Sequence, residues 1–235
     1  MNPIRRNFPN LLTCLNILSG CVAIVFAFHP QELFGVWPGW KWACLAIAVA
    51  AVADFMDGFM ARLLHAYSEL GKQLDSLSDL VSFGVAPAMM IMNILAVNPN
   101  IPPFIGWLTL LVPIAGAIRL ARFNIDTRQS SGFIGLPIPA NAIFWIGWAA
   151  LVEAGWAWVE NPWIVGAIVI GESWLMVSPL RLFSLKFHDY KWKGNEYRWI
   201  LIIGAALLLA LCGIKAFCLI ILFYILLAIA AARRA

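Results

Sequence analysis

Four of the chain's six aspartates fall in one short stretch: Asp54, Asp57, Asp75 and Asp79. Residues three or four apart share a helix face, so each pair presents two carboxylates side by side. The segment 63–74 lies between the pairs and is expected to turn the chain so that they oppose. Four carboxylates at close range repel one another, and charge held away from water is costly. Divalent cations relieve both problems. An all-oxygen donor set favours Mg²⁺, Mn²⁺ or Ca²⁺ over zinc. Two such ions about 3.5–4 Å apart make a clamp suited to phosphoryl chemistry. The competing reading is that the aspartates cap helices or pair with Arg62 and Lys72.

The elements that position these residues follow from composition. Hydrophobic residues make up 63% of the 235 and charged residues only 12%. A soluble domain carries about a quarter charged residues, so too few polar groups remain to coat a core in water. About 20 apolar residues cross a bilayer as a helix, and backbone groups in lipid must be paired within the segment. The expected fold is an all-α, polytopic membrane bundle of eight spans: 10–28, 40–58, 75–97, 104–123, 137–157, 163–184, 198–213 and 215–232. The last two are separated by a tight hairpin at Gly213, Ile214 and Lys215. The first run is too long for a signal-peptide core and lacks a small-x-small cleavage site, so it is read as a span.

Basic residues set the expected orientation. Arg5, Arg6, Arg62, Lys72, Arg119, Arg122, Arg128, Arg181, Lys186, Lys191, Lys193, Arg198, Arg233 and Arg234 fall on one side of an eight-span chain; only Lys41 and Lys215 fall opposite. The positive-inside rule then puts both termini and the aspartates at the cytoplasmic face. Trp37, Trp40, Trp42, Trp156, Trp158 and Trp163 suit the other interface. This arrangement accounts for the net charge of +4 without nucleic acid. The five cysteines sit in apolar runs with no Cys-x-x-Cys pair, so they are expected to be buried, unreactive thiols.

The string Asp54-x₂-Asp57-Gly58-x₂-Ala61-Arg62-x₈-Gly71-x₃-Asp75-x₃-Asp79 resembles the full signature of the CDP-alcohol phosphotransferase family. The resemblance implies a single membrane domain over 1–235 with its catalytic motif at 54–79. It implies that Asp54, Asp57 and Asp75 hold metal, two Mg²⁺ or Mn²⁺ ions per site. Asp79 would help bind the second ion and act as general base. Gly58, Arg62 and Ser68 would contact the CDP part of a CDP-linked lipid, and the protein would be a homodimer in a bacterial plasma membrane. Asn10 and Thr13 are either helix-start residues or further nucleotide contacts.

The acceptor is addressed by other segments. Pro9–Asn16, Ile118–Asn124, Gly135–Ala142 and Leu175–Arg181 resemble the phosphatidylserine synthases of this family. Relatives that use glycerol phosphate often carry Arg where Asn16 stands. Leu182 departs from the aromatic residue those synthases tend to have. The implied reaction is transfer of a phosphatidyl group from CDP-diacylglycerol to L-serine, releasing CMP. Arg119, Arg122 and Asn124 would bind the acceptor; the two arginines also suit a basic helix end. The alternatives are another acceptor, such as glycerol 3-phosphate or inositol phosphate, a cation-binding transporter, or a scaffold without chemistry. Glu172 lies inside the sixth span, either paired with a buried arginine or facing a cavity. Arg181 could also be a cavity residue.

Overall fold

The computed structural model describes residues 3–126, 132–185, 187, 189 and 191–233. Arg128, Lys186 and Arg234 lie outside them, as do the side chains of Arg5 and Arg6. Among the described residues, ten α-helices dominate. The first two, α1 (Pro3–Ala27) and α2 (Gly39–Leu63), pack along each other and are joined by a short hairpin of β1 (Leu33–Phe34) and β2 (Trp37–Pro38). Next come α3 (Glu69–Asp79), a π-helical segment (Leu80–Val85) and α4 (Ala86–Ala96) as one continuous rod. Then follow α5 (Pro103–Leu108), α6 (Leu111–Ile125), α7 (Ile138–Glu153), α8 (Pro162–Val177), α9 (Glu196–Cys212) and α10 (Ala216–Ala232). Among the described residues, five helical runs are long and apolar enough to cross a membrane: Asn7–Ala27, Gly39–Leu63, Glu69–Ala96, Pro103–Ile125 and Glu196–Ala232. The chain is an integral membrane protein. α7 and α8 are apolar but shorter, at 16 residues each, or about 24 Å at the helical rise.

Two expectations about boundaries are corrected. The rod carrying Asp75 starts at Glu69, so the turn between the aspartate pairs is only Leu64–Ser68 and not 63–74. The Ser68 hydroxyl accepts a hydrogen bond from the Gly71 N–H at 3.0 Å, and this cap lets the helix begin early. The helix expected as the sixth span ends at Val177 rather than 184. Beyond it Arg181–Phe183 forms β4, which pairs antiparallel with β3 (Gly132–Ile134). Gly135 makes that junction, with φ of +77° and its N–H bonded to Leu180 O at 2.9 Å. A Cβ at Gly135 would collide with the Met176 carbonyl, so this close approach needs glycine.

The break in the third rod has a local cause. Pro87 has no N–H to offer the carbonyl of Phe83 four residues back, and its ring presses on that carbonyl. The helix loosens into a π-turn there, and the Asn141 amide on α7 donates to Phe83 O at 3.2 Å. Trp145 Nε1 in turn donates to Asn141 Oδ1 at 3.0 Å. Pro113 acts similarly between α5 and α6: it has no N–H for the Thr109 carbonyl four residues back, which accepts from Val112 N at 3.0 Å instead. α9 and α10 are joined by a single 3₁₀ turn, Gly213–Lys215, and pack on each other. The five cysteines are free thiols. Cys14 and Cys21 are exposed on the outer face of α1, against the expectation that all would be buried. In a membrane protein such faces meet lipid, so an apolar run does not distinguish core from lipid contact.

Candidate active site

The site forms where α1, α2 and α3 meet. A tight helix end brings the second and third together: Ala66 N bonds Ala61 O at 2.9 Å across His65, which takes the left-handed conformation with φ of 48°. Asp54 and Asp57 on α2 then face Asp75 and Asp79 on α3. One carboxylate oxygen from each of Asp54, Asp57 and Asp75 lies within 4.8 Å of the others. Asp79 is not in that trio but its carboxylate lies against that of Asp54. Asp57 is 6% exposed, and its Oδ2 is buried with no hydrogen-bond partner. A buried carboxylate oxygen without a donor beside two further carboxylates is what a hard cation's ligand set looks like. The residues present therefore fit a divalent metal.

Asn16 was not assigned a role from the sequence. It is fully buried on α1, and its Nδ2 donates to Asp79 Oδ1 at 3.4 Å, while its own Oδ1 has no partner. Two serines lock α1 to the rod around it. Ser78 Oγ donates to Thr13 O at 3.2 Å and Ser82 Oγ to Asn16 O at 3.0 Å. Gly20 allows this contact, since a Cβ there would meet the Ser82 backbone Cα at 2.8 Å. Spacing could not have paired Asn16 with Asp79, because they come together only through the packing of α1 on α3.

Beside the trio lies a cavity of about 530 Å³ whose walls include Asn10, Thr13, Asp57, Gly58, Ser68 and Asp75. Thr13 donates its proton to Pro9 O at 3.1 Å, within its own helix, and its oxygen faces Asp57. Arg62 is exposed at the end of α2 and is not in these walls. A second cavity, about 580 Å³, is lined by Arg119, Arg122, Asp126, Ser178 and neighbours on α8. Arg119 is 7% exposed, its Nε is unpartnered, and it lies within charge range of Asp79. Arg122 Nη1 donates to Val177 O at 3.0 Å. Asn124 is not in those walls. Its amide donates to Ser76 Oγ at 2.9 Å, and its carbonyl accepts from Lys72 Nζ at 2.9 Å, tying α6 to α3.

The profile of the CDP-alcohol phosphatidyltransferase family matches residues 6–179, which hold all four aspartates and both cavities' polar walls. The chain belongs to the CDP-alcohol phosphatidyltransferase family. Three relatives similar to it are each named CDP-diacylglycerol–serine O-phosphatidyltransferase. That of Mycobacterium leprae is 37% identical over 190 residues, covering 77% of this chain and 58% of its own. That of Bacillus subtilis is 33% identical over 180 residues, covering 76% and 93%. That of Methanocaldococcus jannaschii is 32% identical over 211 residues, covering 89% and 86%. The chain thus spans only about 58% of the length of the mycobacterial relatives it matches.

Proposed function

We propose that this member of the family transfers a phosphatidyl group from CDP-diacylglycerol to L-serine, giving phosphatidylserine and CMP. The observation that carries the reading is the trio of converging carboxylates with a fourth, Asp79, held beside it by Asn16. The names of the relatives above support serine, as does an uncharged Asn16 next to Asp79.

Asp54, Asp57 and Asp75 would hold divalent metal, Mg²⁺ or Mn²⁺, with Asp79 contributing to a second ion. When bound, such ions neutralise the donor diphosphate and stabilise CMP as it leaves. Gly58, Asn10, Thr13 and Ser68 receive the CDP part in the first cavity, and Arg62 meets it from the rim. Arg119 and Arg122 hold the serine carboxylate, while Asn124 lies outside the walls of that cavity and ties α6 to α3. Asp79 takes the proton from the serine hydroxyl, which is a weak nucleophile near neutral pH. The serine oxygen then bonds to the lipid-bearing phosphorus as the bond to the CMP oxygen breaks. Arg119, within charge range of Asp79, links the acceptor cavity to the base.

The chain from 1 to 235 is proposed to form one membrane domain of eight spans, counting α9 and α10 separately because they pack on each other. The site would face the cytoplasm of a bacterial plasma membrane, with both termini on that side. The ion pair Lys41–Glu153, at 2.6 Å, and Lys215 share a single cavity, which fits their lying together at the opposite face. Homodimerisation is proposed from the family.

The test is an acceptor panel. Purified protein receives CDP-diacylglycerol and Mn²⁺ or Mg²⁺ with serine, glycerol 3-phosphate or inositol phosphate, and CMP is measured. Serine-dependent release is expected. Release with a different acceptor alone removes serine and keeps the chemistry, since two guanidinium groups also suit a phosphate. No release with any acceptor removes the enzyme reading.

A further inference from the structure

Glu172 takes no part in the reaction above, and its place in the fold calls for a ligand. It sits within α8 at 4% exposure, and its Oε2 is buried without a hydrogen-bond partner. No cation pairs with it among the described residues. The basic partner allowed by the sequence is therefore missing. The carboxyl instead lines a cavity of about 520 Å³ between α7, α8 and α10, together with Trp148, Gly171, Cys218 and Leu222. None of those walls is shared with the two cavities of the proposed active site. The rim is lipid-facing: Leu222 is 47% exposed and Leu211 73%. Lys215 stands at one end of the cavity, on the 3₁₀ turn before α10.

A second wall group has the opposite need. Trp148 is 2% exposed, and its Nε1–H is buried with no acceptor. An unmet donor and an unmet acceptor in one apolar cavity define the missing chemistry. Each is costly while it stays unpaired. An alkyl chain meets neither need. An ammonium brings donors only and leaves the indole N–H unmet. A hydroxyl brings both a donor and an acceptor. Apart from Lys215 the other walls are apolar and aromatic, with Trp148 in ring contact with both Phe144 and Trp158. They suit a hydrocarbon chain. Gly171 keeps the space open, because a Cβ there would meet nothing within 4 Å.

We infer that the cleft between α7, α8 and α10 is a second lipid site, which takes a long-chain amphiphile by its hydroxyl end, with Glu172 accepting from it and Trp148 donating to it. The ligand enters sideways from the bilayer between α8 and α10. Its class is that of long-chain alcohols and acylglycerols. This inference is independent of the acceptor and of the aspartate chemistry.

The test uses the full-length protein in lipid nanodiscs and a dodecyl alcohol carrying a photoreactive diazirine. Peptides of α8 and α10 around Gly171 and Leu222 should be labelled, and dodecanol should compete while dodecane and dodecylamine do not. Gly171→Phe projects its ring into the open space and should abolish that labelling while serine-dependent CMP release stays unchanged. Glu172→Leu should reduce labelling about tenfold, the worth of one hydrogen bond to a buried carboxyl. A melting transition checks each variant; if Glu172→Leu does not fold, Gly171→Phe decides. Labelling that survives Gly171→Phe overturns the site. Equal competition by dodecane means that trapped water satisfies the two polar groups and the cleft is only greasy, which also overturns it. Stronger competition by dodecylamine overturns the hydroxyl assignment.

Discussion

Adding one methyl group at Gly58 should raise stability and lower activity. Gly58 lies within α2, five residues before its end, and a Cβ built there meets no atom within 4 Å. The methyl of Gly58→Ala thus clashes with nothing in the protein. A helix-interior Gly→Ala change without a clash stabilises by about 0.5–1 kcal/mol, because the unfolded glycine has more freedom to lose. The same methyl projects into the cavity next to Asp57, where the CDP part of the donor is proposed to lie. Overfilling a close-packed contact costs about 1–3 kcal/mol. At about 1.4 kcal/mol per decade, the KM for CDP-diacylglycerol should rise about 5- to 150-fold. The KM for serine should stay near its original value. Thermal unfolding in detergent gives the first quantity, and CMP release against donor concentration gives the second. An unchanged donor KM would show that the donor does not pass over Gly58. A drop in melting temperature would show that the space around α2 is wrongly described.

Other outcomes follow from single contacts. Gly20→Ala should destabilise by about 1–3 kcal/mol and impair turnover, because its Cβ meets the Ser82 backbone, which a rotamer change cannot relieve. Unfolding midpoints and kcat measure both effects, and a neutral variant would contradict the α1–rod contact. His65→Gly should stabilise by about 1 kcal/mol by removing a left-handed non-glycine residue at the end of α2. An unfolding midpoint no higher than the parent's refutes that. Asp79→Asn should keep part of the metal affinity and lose turnover, whereas near-normal turnover removes Asp79 as the base. Asn16→Ala should lower kcat far more than either KM, since it loses the 3.4 Å contact to Asp79 without touching the cavity walls named above.

The aspartates were legible in the sequence because helical spacing fixes which face a residue takes, and the short segment between the two pairs leaves little choice of partner. Most of the helix boundaries were legible too, since runs of apolar residues mark where the helices lie. The early start of α3 was hidden in a polar amphipathic turn, where the Ser68 cap outweighs the lack of apolar residues. The end of α8 was misplaced because Leu180, Leu182 and Phe183 are as apolar as a span, yet 181–183 form a strand with β3. Asn16 and Glu172 show the deeper limit. Their meaning lies in what they face across helices, an aspartate in one case and an unfilled cavity in the other, and no spacing along one chain encodes that.

The most direct test of the central reading is a metal titration of serine-dependent CMP release. Purified protein is stripped with a chelator, supplied with CDP-diacylglycerol and serine, and titrated with Mn²⁺ or Mg²⁺. Release should vanish on stripping and return with metal. Asp57→Asn should need about tenfold or more metal for half of its restored rate, because it loses a charged ligand whose Oδ2 has no other partner. Full serine-dependent CMP release from chelator-treated protein would contradict the account.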